Sequence, residues 1–132
     1  MSRHGNYATA TISSGASITG ALNLDAISGV AEAGQAVSQK LGMRLGGIVM
    51  PAAWTAAGLT FQVSADGTSF FDLRDKNDNE VTMTVSAGKA YLLDLADWVT
   101  VPWIKIRSGA SASAVNQGAD RTLTLLLRAT GV

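Results

Sequence analysis

Four acidic residues, Asp72, Asp75, Asp78 and Glu80, fall within one short polar stretch, and converging carboxylates are what a hard cation such as calcium requires. The order of the stretch does not match the common calcium loop, in which acids alternate, a glycine turns the chain and a distal glutamate closes the site. Hairpin turns select the same residue types, because a short Asx side chain can hydrogen-bond the backbone two residues on. The turn reading is preferred. The single histidine, His4, lies in a short N-terminal stretch expected to be flexible. A general base there would lack fixed geometry, and a metal would lack further ligands.

Serine and threonine are plentiful, yet no Gly-x-Ser-x-Gly elbow is present and no histidine is placed to complete a triad. No Walker loop or dinucleotide fingerprint occurs, and Gly46-Gly47 enters a strand rather than a phosphate-cradling helix. The chain has no cysteine, which excludes disulfides, thiolate metal sites and cysteine nucleophiles. Paired carboxylates for glycoside hydrolysis leave no linear signature, since their spacing is three-dimensional. The expectation is a protein without catalytic residues, cofactor or metal, working by binding other macromolecules.

The 132 residues suit one domain, 47% of them are apolar and only 15% are charged, a balance that favours a packed core. Ten basic and ten acidic side chains cancel. A nucleic-acid or anionic-membrane binder normally carries a basic excess, so direct contact with either is not expected. No apolar run approaches the roughly 20 residues that span a bilayer, and Met1 to Asn6 lead into alternating threonines rather than a signal-peptide core. A soluble protein is expected.

The elements that must position any site are mostly strands. Tyr7-Ala8-Thr9-Ala10-Thr11-Ile12-Ser13 interleaves two residue sets at period two, as a half-buried strand does. Ser14-Gly15 ends that run, and Ile18, Leu22 and Leu24 resume one apolar face. Met43 to Met50 reads as a strand stopped by Pro51. Leu59 to Ala65 sets Leu59, Phe61, Val63 and Ala65 against Thr60, Gln62 and Ser64. Asp66-Gly67 then marks a hairpin turn into Phe70 to Leu73, glycine accepting positive φ without a Cβ clash. Further strands are expected over Val81 to Val85, Lys89 to Leu95, Thr100 to Arg107 and Arg121 to Ala129. Phe61, Val63, Ile104, Ile106, Leu123, Leu125 and Leu127 are the expected core.

Two stretches fall outside this pattern. Asp25 to Gly42, rich in alanine and glycine, reads as an insertion with a short helix over Ala31 to Leu41, weakened by about 1 kcal/mol at Gly34. Ser108 to Asp120 reads as a loop of small residues, and residues 1–6 as a flexible arm. Eight or nine short strands joined by glycine and Asx turns indicate an all-β sandwich or barrel forming one domain over residues 1–132. A two-sheet jelly roll is the expected architecture, with a Greek-key or up-and-down arrangement as the alternative.

The candidates for contact with a partner are aromatic and amide side chains. Trp54, Trp98 and Trp103 fall near strand ends, and tryptophan serves both sandwich cores and binding hot spots. Trp103 shares its face with Lys105 and Arg107, while Asn116 and Gln117 belong to the small-residue loop. These five, Trp54, Trp98, Trp103, Asn116 and Gln117, form the candidate protein interface.

Three passages carry a resemblance: Gly47-Ile48-Val49-Met50-Pro51-Ala52-Ala53-Trp54; Leu59-Thr60-Phe61-Gln62-Val63-Ser64-Ala65-Asp66-Gly67; and Trp103-Ile104-Lys105-Ile106-Arg107-Ser108-Gly109 leading to Val115-Asn116-Gln117. In this order they resemble small structural proteins of tailed bacteriophages, some of which are capsid cement or decoration proteins with jelly-roll folds. The likeness covers residues 43–129 and leaves out Asp25 to Gly42. It implies a virion protein on the capsid surface, assembled in the bacterial cytoplasm, that bridges subunits of the major capsid protein. It also implies a homo-oligomer, dimer or trimer, and leaves connector or tail roles open within the class. The Phe61 to Gly67 hairpin followed by Ile104 to Arg107 is also similar to discoidin-type carbohydrate-binding β-sandwiches. That second likeness implies a sugar-binding module of a phage fibre or tail.

Overall fold

In Arg121 to Ala129 the leucines at 123, 125 and 127 alternate with threonine, leucine and arginine, and those three leucines are buried. A segment that buries every second residue is a strand packed on one face. The computed structural model describes residues 5–26 and 42–129. The strands are β1 (Gly5–Ile12), β2 (Leu22–Asn23), β3 (Met43–Val49), β4 (Leu59–Ser64) and β5 (Phe71–Asp72). They continue with β6 (Ala90–Leu92), β7 (Trp103–Ala110), β8 (Ser113–Ala114) and β9 (Arg121–Ala129). The fold is an all-β sandwich of two antiparallel sheets, ordered β1-β9-β3-β6 and β2-β7-β4-β5, with β8 pairing on β7.

The pairings nest. β4 pairs with β5 around the Asp66 turn, β3 with β6, β2 with β7 and β1 with β9, each pair enclosing the one before. The chain is therefore one long antiparallel ribbon, folded back at Asp66-Gly67 and wound so that successive pairs fall in alternate sheets. Between the sheets Ile12, Leu24, Leu45, Ile48, Leu59, Phe61, Ile104, Ile106, Leu123 and Leu125 are fully buried, each contributing about 1.5–3 kcal/mol by leaving water. Trp98 meets Phe61 edge-to-face, with ring centroids 4.8 Å apart. The expected core residues lie here, except that Val63 is only partly buried.

The register of β3 on β9 shifts between Leu45 and Gly47, a bulge of the kind that bends a strand. Glycine is required beside it: a Cβ on Gly47 would stand 2.9 Å from Tyr91 O and 3.0 Å from Leu126 Cδ1.

Several expectations are corrected. Val81 to Val85 forms no regular strand, because Val81 N donates to Leu73 O whereas Met83 and Leu59 exchange two bonds. Alternate residues thus serve two different segments, β4 and the residue after β5, and no ladder builds. Lys89 to Leu95 is shorter than expected, since the Asp94 carboxylate accepts from Ala96 N at 3.1 Å and starts helix α1 (Leu95–Trp98). An aspartate in that position is a favoured N-cap. Ser108 to Asp120 is not an open loop: β7 runs on to Ala110, and Ala110 pairs with Ser113 to form a tight β7–β8 hairpin. Ser111 and Ala112 form its turn, and Gly109, opposite Ala114 within the ladder, adopts φ +88°. Gly5 and Asn6, the last two residues of the expected arm, pair with Arg128 and Leu127 in β1, and residues 1–4 lie outside the described residues. Of the insertion, Asp25 and Ala26 close a 3₁₀ turn begun at Leu24, while the helix expected over Ala31 to Leu41 lies outside the described residues, as does His4. Among the described residues no helix is long and apolar enough to cross a membrane.

Candidate functional site

Strand register brings the chemically capable side chains onto the outer face of the second sheet. β4 and β7 pair Thr60 with Arg107, Gln62 with Lys105, and Ser64 with Trp103. The alternate residues Phe61, Ile104 and Ile106 are buried between the sheets, so this row points away from the core. Arg107 is nevertheless buried, because the residues around Asp72 and Glu80 fold over it. Its guanidinium donates to Thr60 Oγ1 at 2.9 Å, Asp72 Oδ1 at 2.9 Å and Glu80 Oε2 at 3.2 Å. Thr60 Oγ1 in turn donates to Gly109 O at 2.6 Å, and Ser111 N donates to Glu80 Oε2 at 3.1 Å. One cation and two carboxylates thus tie β4, β5 and the β7–β8 hairpin together. The planar fork of arginine suits it to such several-fold bonding.

The acidic stretch is divided among separate tasks. Asp72 and Glu80 hold Arg107, Asp78 pairs with Arg74, and Asp75 accepts from Asn77 N at 2.8 Å and Asn79 N at 3.0 Å. Among the described residues no three such groups converge as a metal site needs. The hydrogen bond from Arg107 is the main cause holding the Asp72 carboxyl below the ordinary aspartate range. The amides of Asn79 and Asn77 do the same for Asp75.

The hairpin turn is built by Asp66. Its carboxylate accepts from Thr68 N at 2.8 Å and Ser69 N at 3.0 Å, and these bonds, Ser69 first, lower its pKa. Ser64 Oγ accepts from Gly67 N at 2.9 Å. Gly67 adopts φ +80°, and a Cβ there would lie 2.6 Å from the Trp103 ring, so the indole lies directly on the turn backbone. Beside it the Lys105 ammonium sits 4.4 Å from the centre of the Phe70 ring, a cation–π contact.

Gln117 is 1% exposed and fully engaged. Its Oε1 accepts from Thr55 N at 2.8 Å, and its Nε2 donates to Ser108 Oγ at 2.6 Å and Thr55 O at 3.1 Å. Its backbone bonds Gly15 and Ala16. The side-chain amide thus clamps the segment after β3 to β7, and the backbone of the same residue holds the segment after β1.

The five candidate interface residues are not gathered on one surface. Trp98, 5% exposed, and Gln117 belong to the interior and present no free face. Trp54 is half-buried against the core and donates to Ala57 O at 3.0 Å. Trp103 is half-buried under the Gly67 turn, and only Asn116 is fully at the surface. The Arg107 cluster escaped sequence reasoning because alternation assigns Arg107 to an outer face and says nothing of what covers that face. A cleft of about 540 Å³ opens between the Asp75 turn and α1, with Leu73, Val81 and Trp98 as apolar lining and Arg74, Lys76 and Asp97 beside them. A second of about 300 Å³ also has Leu73 in its lining and includes the exposed Phe71. Every buried side-chain nitrogen and oxygen among the described residues has a hydrogen-bond partner. Set against known proteins, the chain matches no family model, no curated protein and no solved structure.

Proposed function

We propose that this chain is a structural protein of a tailed-bacteriophage virion, a cement protein that lies on the capsid surface and bridges copies of the major capsid protein. The observation that carries the reading is the nested strand order. That order is the one we assign to a jelly roll, an architecture used by viral capsid domains. The passages that resemble phage structural proteins supply the end of β3, the paired strands β4 and β7, and Gln117, which bonds Ser108 of β7 and Thr55 after β3. Arg107, Asp72, Glu80 and Gln117 are occupied in holding the fold, which favours a binding role over catalysis. A protein that binds only the assembled shell stabilises it by mass action, and repeated contacts on one particle add avidity.

The contacts fall to the exposed loops. The tip of the β7–β8 hairpin, Ser111 and Ala112, and the neighbouring Asn116 are small and exposed. The experiment adds purified protein to heads lacking it, then measures bound copies and heat resistance of the particles. Intact protein should bind and protect, whereas a Ser111→Arg/Asn116→Arg variant should lose binding with an unchanged melting temperature. Failure of the intact protein to bind heads would sink the cement reading.

The same strand order serves lectins, and the exposed Phe71 beside its cleft favours a second reading, a carbohydrate-binding module of a fibre or tail. The buried Trp98 and half-buried Trp54 are lost to it as stacking platforms. Specific signals on a glycan array that vanish with Phe71→Ala would favour this module.

A further inference from the structure

We infer that the outer edge of β1 is a pairing surface for a second copy of this chain, joined about a two-fold axis. Three of the four sheet edges are short: β2 and β5 have two residues each and β6 has three. Short edges are one of the ordinary protections against unwanted strand pairing, along with charges, prolines, bulges and covering segments. The Ala8 to Ile12 stretch of β1 has none of these among the described residues. The whole strand is eight residues long, Gly-Asn-Tyr-Ala-Thr-Ala-Thr-Ile, with no charge and no proline. Its register with β9 runs from Gly5↔Arg128 to Ile12↔Arg121 without a shift. β9 is the one strand it pairs with, so the opposite edge carries backbone donors and acceptors of the Ala8 to Ile12 stretch without a strand to meet them.

The chemistry that satisfies such an edge is another extended backbone. The strand's own side chains select a copy of itself. A two-fold axis perpendicular to the sheet keeps both inner faces on one side, so outward residues meet outward ones. Centred on Thr9, it sets Thr9 against its counterpart on the outer face, a favoured cross-strand pair. Ala8 then meets Ala10 on the inner face, where small side chains let two sandwiches abut without a steric barrier. No like charges meet, since the strand has none. The product is a continuous sheet of eight strands, four from each copy, and the operation closes on itself instead of propagating into a fibre. The inference concerns the isolated protein and stands whether or not it coats a capsid.

The test is sedimentation of the full chain over a concentration series, with substitutions at exposed positions that leave the core untouched. Wild-type protein should form dimers in the micromolar range. The Thr9→Lys/Thr11→Lys variant should dissociate about tenfold more readily or worse, because like charges are then set across the strands, while keeping the circular dichroism spectrum of the folded wild type. The protein has no cysteine, so a Thr9→Cys variant gives an independent readout. Under mild oxidation it should form a disulfide-linked dimer faster than the exposed control Thr82→Cys. A wild-type monomer at every concentration, a trimer, or a dimer indifferent to the two lysines would overturn the inference. Failure to bind heads would leave it intact.

Discussion

Gln117 and Thr55 exchange two hydrogen bonds across 62 residues of chain, Thr55 N donating to Gln117 Oε1 and Gln117 Nε2 to Thr55 O. A side-chain amide here does the work of a strand neighbour for a loop that has none. Gln117→Ala removes those partners and the one held by Ser108 Oγ together. Each buried polar group left stranded costs about 1–3 kcal/mol, so denaturant unfolding should show a loss of at least about 2 kcal/mol. A loss below about 0.5 kcal/mol, the scale of surface changes, would remove Gln117 from the structural core.

Arg107 lies between two carboxylates of unequal exposure, Glu80 at 16% and Asp72 at 39%. Arg107→Met strands both, and removing one partner of a buried pair typically costs about 3–5 kcal/mol. The wetter Asp72 draws the expectation to the lower end. Asp72→Asn, at the exposed side, should cost under about 1 kcal/mol. Equal losses in the two variants, measured by urea titration, would contradict this ordering.

Gly67 combines φ +80° with direct contact to the Trp103 ring. Gly67→Ala must both adopt a left-handed backbone, at roughly 1–2 kcal/mol, and displace the indole. Gly88 has a similar φ of +70° but open space around it. Gly67→Ala should therefore lower the melting temperature more than Gly88→Ala and shift tryptophan fluorescence, which Gly88→Ala should leave unchanged.

Asp66, Asp72 and Asp75 are all held below the ordinary carboxylate range in the folded protein. Depressed folded-state values add stability above the unfolded value, about 3.9, and lose it as pH falls through the folded values. Stability should be level from neutral pH to about pH 5 and fall below about pH 4. Urea midpoints across that range measure it, and Asp66→Asn should flatten the acid slope. A slope unchanged in that variant would count against the Asp66 turn bonds.

Sequence reasoning reached the strands whose alternation is carried by large side chains. β9 has the expected bounds because its leucines leave one burial phase, and β3 ends where Pro51 withdraws a donor. It failed where hydrogen bonds, not hydrophobic period, decide the structure. Val81, Met83 and Val85 alternate properly, yet Leu73 and Leu59 divide their backbone partners. Asp94 offered a readable capping signal that the apolar run through Leu93 and Leu95 obscured. Gln117 carried no signal, since an amide in a small-residue stretch looks the same whether it faces water or clamps Thr55.

The nested ribbon also dictates an order of events as the chain acquires its structure. Closing a longer loop costs more entropy, and here each pair encloses the previous one. β4 and β5 can meet as soon as the Asp66 turn forms, whereas β1 must wait for β9. Pulse-labelled hydrogen exchange during refolding should protect β4 and β7 amides before those of β1, and early protection of β1 would exclude this order. During synthesis β1 emerges well before β9, the partner it awaits, so an eight-residue uncharged segment stays available to other chains in the interval.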